Sequence, residues 1–305
     1  MKKIIVIFFA ALLTSVTGTG SAHAQSQAAQ KALEGIKESV DTLVNAKDKN
    51  NPNETAFRAE IFKKVVDFSI VELKDLKVKF LATAAEQKTS STIGMWQEHI
   101  LSEINKTATF YETVKKKADT IDENVSDEEI KNNAEDFKKW REENFSPLAE
   151  EINNFLLIEQ QKNSIDTAEK RWEKVKNDVL KIKKSYSVKK AQPFETLLKQ
   201  AEESNADAKE IYMEARDLFD KTYLSPFEEK DNAATTTVTA TEKENAVVAS
   251  STKADIKNSA DENASSTPTV YPPSIRDLIK DSLTNVKRTY QIFIEMSGLV
   301  RKLLM

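Results

Sequence analysis

Residues 165–186 read IDTAEKRWEKVKNDVLKIKKSY, and the spacing of their apolar side chains decides the fold class. Ile165, Ala168, Trp172, Val175, Val179, Ile182 and Tyr186 are separated alternately by three and four positions. That is one face of a helix, and over about two and a half heptads it is the seam of a coiled coil. Carried backwards, the same phase reaches Gln161, Asn154 and Glu151, while Ile152, Phe155 and Leu156 form a second apolar stripe. The seam must shift, or the helix bend, between about residues 159 and 164.

The helical period extends outward in both directions. Gln27 to about Ala46 carries Leu33, Ile36, Val40 and Leu43 as a stripe. Asn51-Pro52-Asn53 breaks the chain, and Asn53 is placed to cap a helix running to about Ala85. That helix has apolar residues around its sides, Val66, Ile70, Val71, Val78 and Leu81, besides a main stripe through Phe57, Ile61, Val65 and Phe68. A central position is expected for it. A third helix, from Ser90 or Ser91 to about Ala118, carries Ile93, Trp96, Ile100, Ile104, Tyr111 and Val114.

Further along, Ser126-Asp-Glu-Glu129 fits a capping box before a helix through Phe137 and Trp140. Ser146-Pro147 reads as a restart, with proline in a first turn where its missing donor costs nothing. Gln192-Pro193 reads as the next turn, before a helix with Phe194, Leu197, Ala201, Ala208, Ile211, Ala215 and Leu218 in its seam. The alanines there predict close helix approach. Between residues 225 and 272 the sustained apolar period disappears in favour of Thr, Ala, Ser, Asn, Lys and Glu. Such composition buries too little to offset its ordering entropy, and a flexible tether reaching about 40 Å is expected. After Pro272-Pro273, Ser274 is positioned to cap a last amphipathic helix, 273–305, whose stripe is Ile275, Leu278 or Ile279, Leu283, Val286, Tyr290, Phe293, Ser297, Val300 and Leu304.

Composition supports the same class. Of 5 glycines, only Gly35, Gly94 and Gly298 lie beyond residue 24, so phosphate-cradling loops are nearly excluded. The expected fold is all-α: an elongated helical bundle with coiled-coil-like segments and a tethered C-terminal helix. Residues 25–120 and 121–224 group as two tandem three-helix units, with a single elongated bundle as the other grouping.

Residues 1–24 have the parts of a secretory signal: Lys2 and Lys3, an apolar run from Ile4 to Leu13, then small and polar residues ending Ser-Ala-His-Ala. The run is far shorter than the roughly 20 residues of a membrane-spanning helix, so cleavage after Ala24 and export to the periplasm or cell surface of a bacterium are expected. The chain has 45 basic and 49 acidic residues, a net charge of −4, and −6 without the two leader lysines. A nucleic-acid partner does not fit that balance. There is no cysteine, so neither disulfides nor thiolate chemistry contributes.

Catalytic signals are scarce. His99 is the one histidine beyond residue 24, which rules out a multi-histidine zinc site within one chain. Glu103 follows it by four residues, and a surface contact between the two is expected. No Gly-x-Ser-x-Gly elbow occurs. Trp96, Trp140 and Trp172 fall on apolar stripes and read as core anchors. The basic clusters Lys115–Lys117, Lys181 with Lys183-Lys184, and Lys189-Lys190 either balance helix dipoles or meet an anionic lipid or polymer. The expectation is a non-catalytic exported scaffold or adaptor with no cofactor. Its partners are another protein or a second copy of the chain, with peripheral membrane contact besides; a membrane-active protein that inserts or docks apolar helices on a bilayer, and a helical ligand-binding module, are the competing readings. Ile292, Phe293, Leu299, Val300 and Leu303 would be sticky if left exposed together, and they are the partner-binding candidates.

Overall fold

The computed structural model describes residues 27–48, 54–86, 90–121, 125–185, 188–228 and 273–304. The expected leader, the expected break at Asn51–Asn53, Tyr186 and the expected tether beyond residue 228 lie outside the described residues. Those described are helical and contain no strand. The helices are α1 (Gln27–Asp48), α2 (Glu54–Ala85), α3 (Ser91–Asp119), α4 (Asp127–Trp140), α5 (Ser146–Ser185), α6 (Val188–Phe219) and α7 (Ile275–Leu304). The expected caps form where side chains can reach free amides. Ser90 Oγ accepts from Ile93 N–H, Ser126 Oγ from Glu129 N–H, and Ser274 Oγ from Asp277 N–H at 3.2 Å. The Asp277 carboxylate accepts in return from the Ser274 hydroxyl at 2.7 Å and from the Ser274 amide, which lowers its pKa.

Two prolines behave differently from the expectation. Ser146-Pro147 is no restart: α4 continues into α5 through a π-helical turn, Arg141–Phe145, in which Ser146 N–H bonds to Arg141 O. Ser225-Pro226 follows a second such turn, Asp220–Leu224, with Ser225 N–H on Asp220 O. A proline inside an α-helix clashes with the carbonyl four residues back. The wider turn moves that carbonyl aside, so the helix bends around proline instead of ending. Residues 225–228 are consequently helical, and the apolar packing extends to Phe227, beyond the point where the tether was expected to begin. Gln192-Pro193 likewise marks no turn. α6 begins earlier, at Val188, and Pro193 lies within it.

The packing does not divide at residue 120. A large apolar cluster takes side chains from α1 to α4, the first part of α5, the end of α6 and the start of α7. Its centre is aromatic: Trp96 lies 5.7 Å from Phe80, 5.0 Å from Phe155 and 5.5 Å from Phe219, ring centre to ring centre. A second group joins Phe62, Tyr111, Phe137 and Phe145. Residues 152–156 of α5 are all buried, so α5 is enclosed on every side there. The central position expected for α2 therefore belongs to this part of α5. α2 is widely buried in its first half, but Val78 is 67% and Leu81 42% exposed.

Beyond this head, α5, α6 and α7 continue together as a three-helix arm. Ile165, Ala168, Ala208 and Val286 form one small cluster along it. Val179, Phe194, Ala201, Ile292 and Met296 form another further out. α5 is helical without interruption through residues 159–164, where the seam was expected to shift or the helix to bend. The irregular seam is accommodated by burying polar side chains: Gln161 Nε2 donates to Ser282 Oγ at 2.8 Å, and Ser282 Oγ donates to the Ala208 carbonyl at 2.6 Å.

That contact explains a shift in the seam of α7. Ser282 and Thr289 are fully buried, where Leu283 and Tyr290 were expected to lead. Ala201, Ala208 and Ala215 recur every seven residues on α6 and are fully buried as well. With Ser282 on Ala208, antiparallel heptad spacing carries Thr289 to Ala201 and Ile275 to Ala215. Small side chains on α6 let α7 approach closely enough that hydroxyls, which can bond the facing backbone, occupy the seam.

Candidate functional site

The arm's outer end is where the structure gathers the candidate partner residues. Three chain segments meet there: the end of α5, the start of α6 and the end of α7. Lys183 of α5 pairs with Glu195 of α6 at 2.5 Å. Ile292 is buried among Val179, Phe194 and Met296, and Phe293, Leu299 and Val300 pack half-buried against the same cluster. Leu303 is half-buried. Four of the five, all but Leu303, are brought together in that cluster, and they are covered by other helices of their own chain. Ile292 is thereby withdrawn from any surface a partner can touch, because close α6–α7 packing turns the seam towards it. Ile294, which was not among the candidates, is 65% exposed.

The basic clusters separate by location. Lys115 pairs with Asp67 of α2 at 2.5 Å, and Lys116 and Lys117 lie in the last turn of α3, where cations meet the negative end of the helix dipole. Lys181, Lys183 and Lys184 end α5, and Lys189 and Lys190 begin α6. Arg301 and Lys302 end α7, so the arm's outer end joins cations from two distant parts of the sequence, the end of α5 and the end of α7.

In the head, two charged networks are buried. Arg141, in the first π-helical turn, pairs with Glu72 at 2.8 Å and donates to Ser69 Oγ, with its guanidinium 4.8 Å from the Phe145 ring. Burial pushes the Glu72 carboxyl up, against the opposing pull of Arg141. The adjacent Tyr111 hydroxyl is buried without a hydrogen-bond partner, and burial drives its pKa strongly upward. Glu151 accepts from Trp96 Nε1 at 2.6 Å, and burial raises its pKa too. These groups fix helices against each other: each bond joins two different helices.

His99 is exposed, and its ring lies 5.5 Å from Phe227. Glu103, expected beside it, pairs with Lys106 instead. Among the described residues no group of three or more His, Asp or Glu side chains is placed to hold a metal ion. Trp96 is a core anchor, as its stripe predicts. Trp140 is half-buried and stacks on Phe110 at 3.7 Å, and Trp172 is half-buried under Lys176.

Where head meets arm, a polar cleft of about 540 Å³ lies between Thr83 of α2 and Glu86 just beyond it, Glu159 and Asn163 of α5, and Tyr212 and Arg216 of α6. Arg216 is held by Glu159 at 3.0 Å and Asp220 at 3.1 Å. Glu159 is buried, and its position near the seam shift was visible in the sequence while its partner 57 residues on was not. No protein-family model matches this sequence, and comparison with curated proteins and with solved structures finds no similar chain.

Proposed function

We propose that the chain is a non-catalytic exported helical scaffold or adaptor, whose head and arm hold two binding surfaces apart. The observation that supports this reading most is the continuity of α5, Ser146–Ser185: one helix is enclosed in the head at its start and frames the arm at its end. At 1.5 Å per residue its 40 residues span about 60 Å. Its charged groups in the head are spent on cross-helix contacts, and the exposed apolar side chains Val78 and Leu81 offer a face on α2 to a protein partner.

In this reading residues 1–24 direct export and are removed, and the segment between α6 and α7 serves as a tether. No helix among the described residues is long and apolar enough to cross a membrane. The test is site-specific photocross-linking in the native cell envelope from positions 78 and 81, with an equally exposed position in the arm as control. A defined adduct from the α2 face that is absent from the control supports an adaptor. A chain retained in the cytoplasm, or one that turns over a small molecule through the polar cleft, overturns it.

A further inference from the structure

We propose that the outer end of the arm docks on an anionic lipid surface. The inference deepens the adaptor reading by naming the partner of one end, and rests on it for the role of the arm. It begins with charge. Residues 179–185, 188–194 and 296–304 contain Lys181, Lys183, Lys184, Lys189, Lys190, Arg301 and Lys302, and not one Asp or Glu. The chain as a whole is net negative at −4, so the remainder is more acidic still. Five of the seven lie within residues 181–190, and helix packing adds Arg301 and Lys302 to them.

The nearest carboxylates do not cancel it. Asp178 pairs with Lys181 and Glu195 with Lys183, while Glu295 is the last acid of α7. Among the described residues, no ion pair involves Lys184, Arg301 or Lys302, and all three are exposed. The helix dipole accounts for cations at the C-terminal ends of α5 and α7. Those two ends together amount to roughly one negative charge, fewer than the exposed cations Lys184, Arg301 and Lys302 that have no ion pair among the described residues.

Apolar side chains beside the charges favour a bilayer over an acidic protein or a soluble polymer. Leu180 is 46% exposed, and Leu299, Val300 and Leu303 are half-buried in the same end. Basic groups hold a protein at an anionic headgroup layer, while leucine and valine enter the boundary with the acyl chains. A soluble polyanion would use the lysines and leave the leucines idle.

The experiment is co-sedimentation of the full chain with vesicles of phosphatidylglycerol and phosphatidylethanolamine, with phosphatidylcholine vesicles as the neutral background and polyglutamate as a soluble polyanion. The variant is Lys184→Glu/Arg301→Glu/Lys302→Glu, whose sites are exposed and form no ion pair within the described chain. Ile4–Leu13 is apolar and present in both proteins, so the readout is their difference. The parent is expected to bind anionic vesicles more tightly than neutral ones, and to release in salt. Each cation removed should weaken binding about fivefold, so the variant should fall to the neutral background while keeping its thermal transition. Leu180→Ser should weaken vesicle binding and leave polyglutamate unaffected. Equal binding by parent and variant, or polyglutamate binding with indifference to vesicles, overturns the proposal. A negative result here leaves cross-linking from α2 intact, so the two readings fail separately.

Discussion

The head and the arm are built from the same helices by opposite means. In the head, α5 is enclosed by large rings, Phe80, Trp96, Phe155 and Phe219, and the charges inside it are matched across helices. In the arm the buried seam is made of Ala201, Ala208, Ser282 and Thr289, with half-buried side chains flanking them. Large buried rings supply stability, because apolar area removed from water sets the gain. Small residues bring α6 and α7 close together but bury less. The difference teaches where this molecule is firm and where its reach lies: the head should unfold last and the outer arm first.

The strongest way to break that contrast is to delete comparable rings in each region. Trp96→Ala, at a site with no exposure, should cost about 3–5 kcal/mol in denaturant unfolding. Trp172→Ala in the arm, half-exposed beneath Lys176, should cost well under half of that. Equal losses would mean that the arm is as firmly cored as the head. Arg141→Ala belongs in the same range as Trp96→Ala, since it leaves Glu72 buried without its partner, about 3–5 kcal/mol.

Ala208→Leu tests the close approach of α6 and α7. A larger side chain opposite Ser282 should cost about 1–3 kcal/mol, and hydrogen exchange should quicken across residues 282–304 while the Trp96 region is unaffected. Exchange that quickens everywhere would show that the outer part of α7 is coupled to the head as tightly as its start. Gly298→Ala acts in the other direction. A Cβ at Gly298 meets no atom within 4 Å, so alanine should slow exchange near the end of α7, a gain of up to about 1 kcal/mol.

The smallest effect concerns pH. Burial raises the Glu151 carboxyl pKa, so the folded state prefers it protonated. Its ionised form therefore costs stability, and that cost grows as pH rises from the unfolded to the raised folded pKa. Glu151→Gln keeps an oxygen to accept from Trp96 Nε1 and carries no charge. The variant should be slightly the more stable at neutral pH, with the gap closing in acid; thermal melts across that range read it directly. A gap that widens in acid would put the carboxylate in a favourable field instead.

Much of the fold was legible because apolar spacing is local. The α1, α2 and α3 ranges, the Ser126 and Ser274 caps and the heptads of α5 and α6 all follow from nearest neighbours on one helix. What escaped depends on partners far along the chain. Pro147 and Pro193 read as breaks because a local rule has no access to the packing that holds a helix together around them. The seam of α7 was read through Leu283, and Ser282 occupies it because Ala208 supplies both space and a carbonyl. The candidate residues at the end of α7 were rightly recognised as needing cover, and Ile292 was misplaced among surface residues because its cover comes from α6, about 100 residues earlier. Of the acid-free end, the lysines of residues 181–190 were legible as basic clusters, and only their meeting with Arg301 and Lys302 was not.

The claim that organises the account is that α5 runs unbroken from head to arm. With no native cysteine, Glu150→Cys and Lys184→Cys can be spin-labelled uniquely, and both positions are exposed. The pulsed electron–electron resonance distance between them should centre near 50 Å, the length of an uninterrupted helix between those residues. A distribution centred near 30 Å would mean that α5 breaks between residues 159 and 164 and folds the arm back on the head, and it would contradict the account.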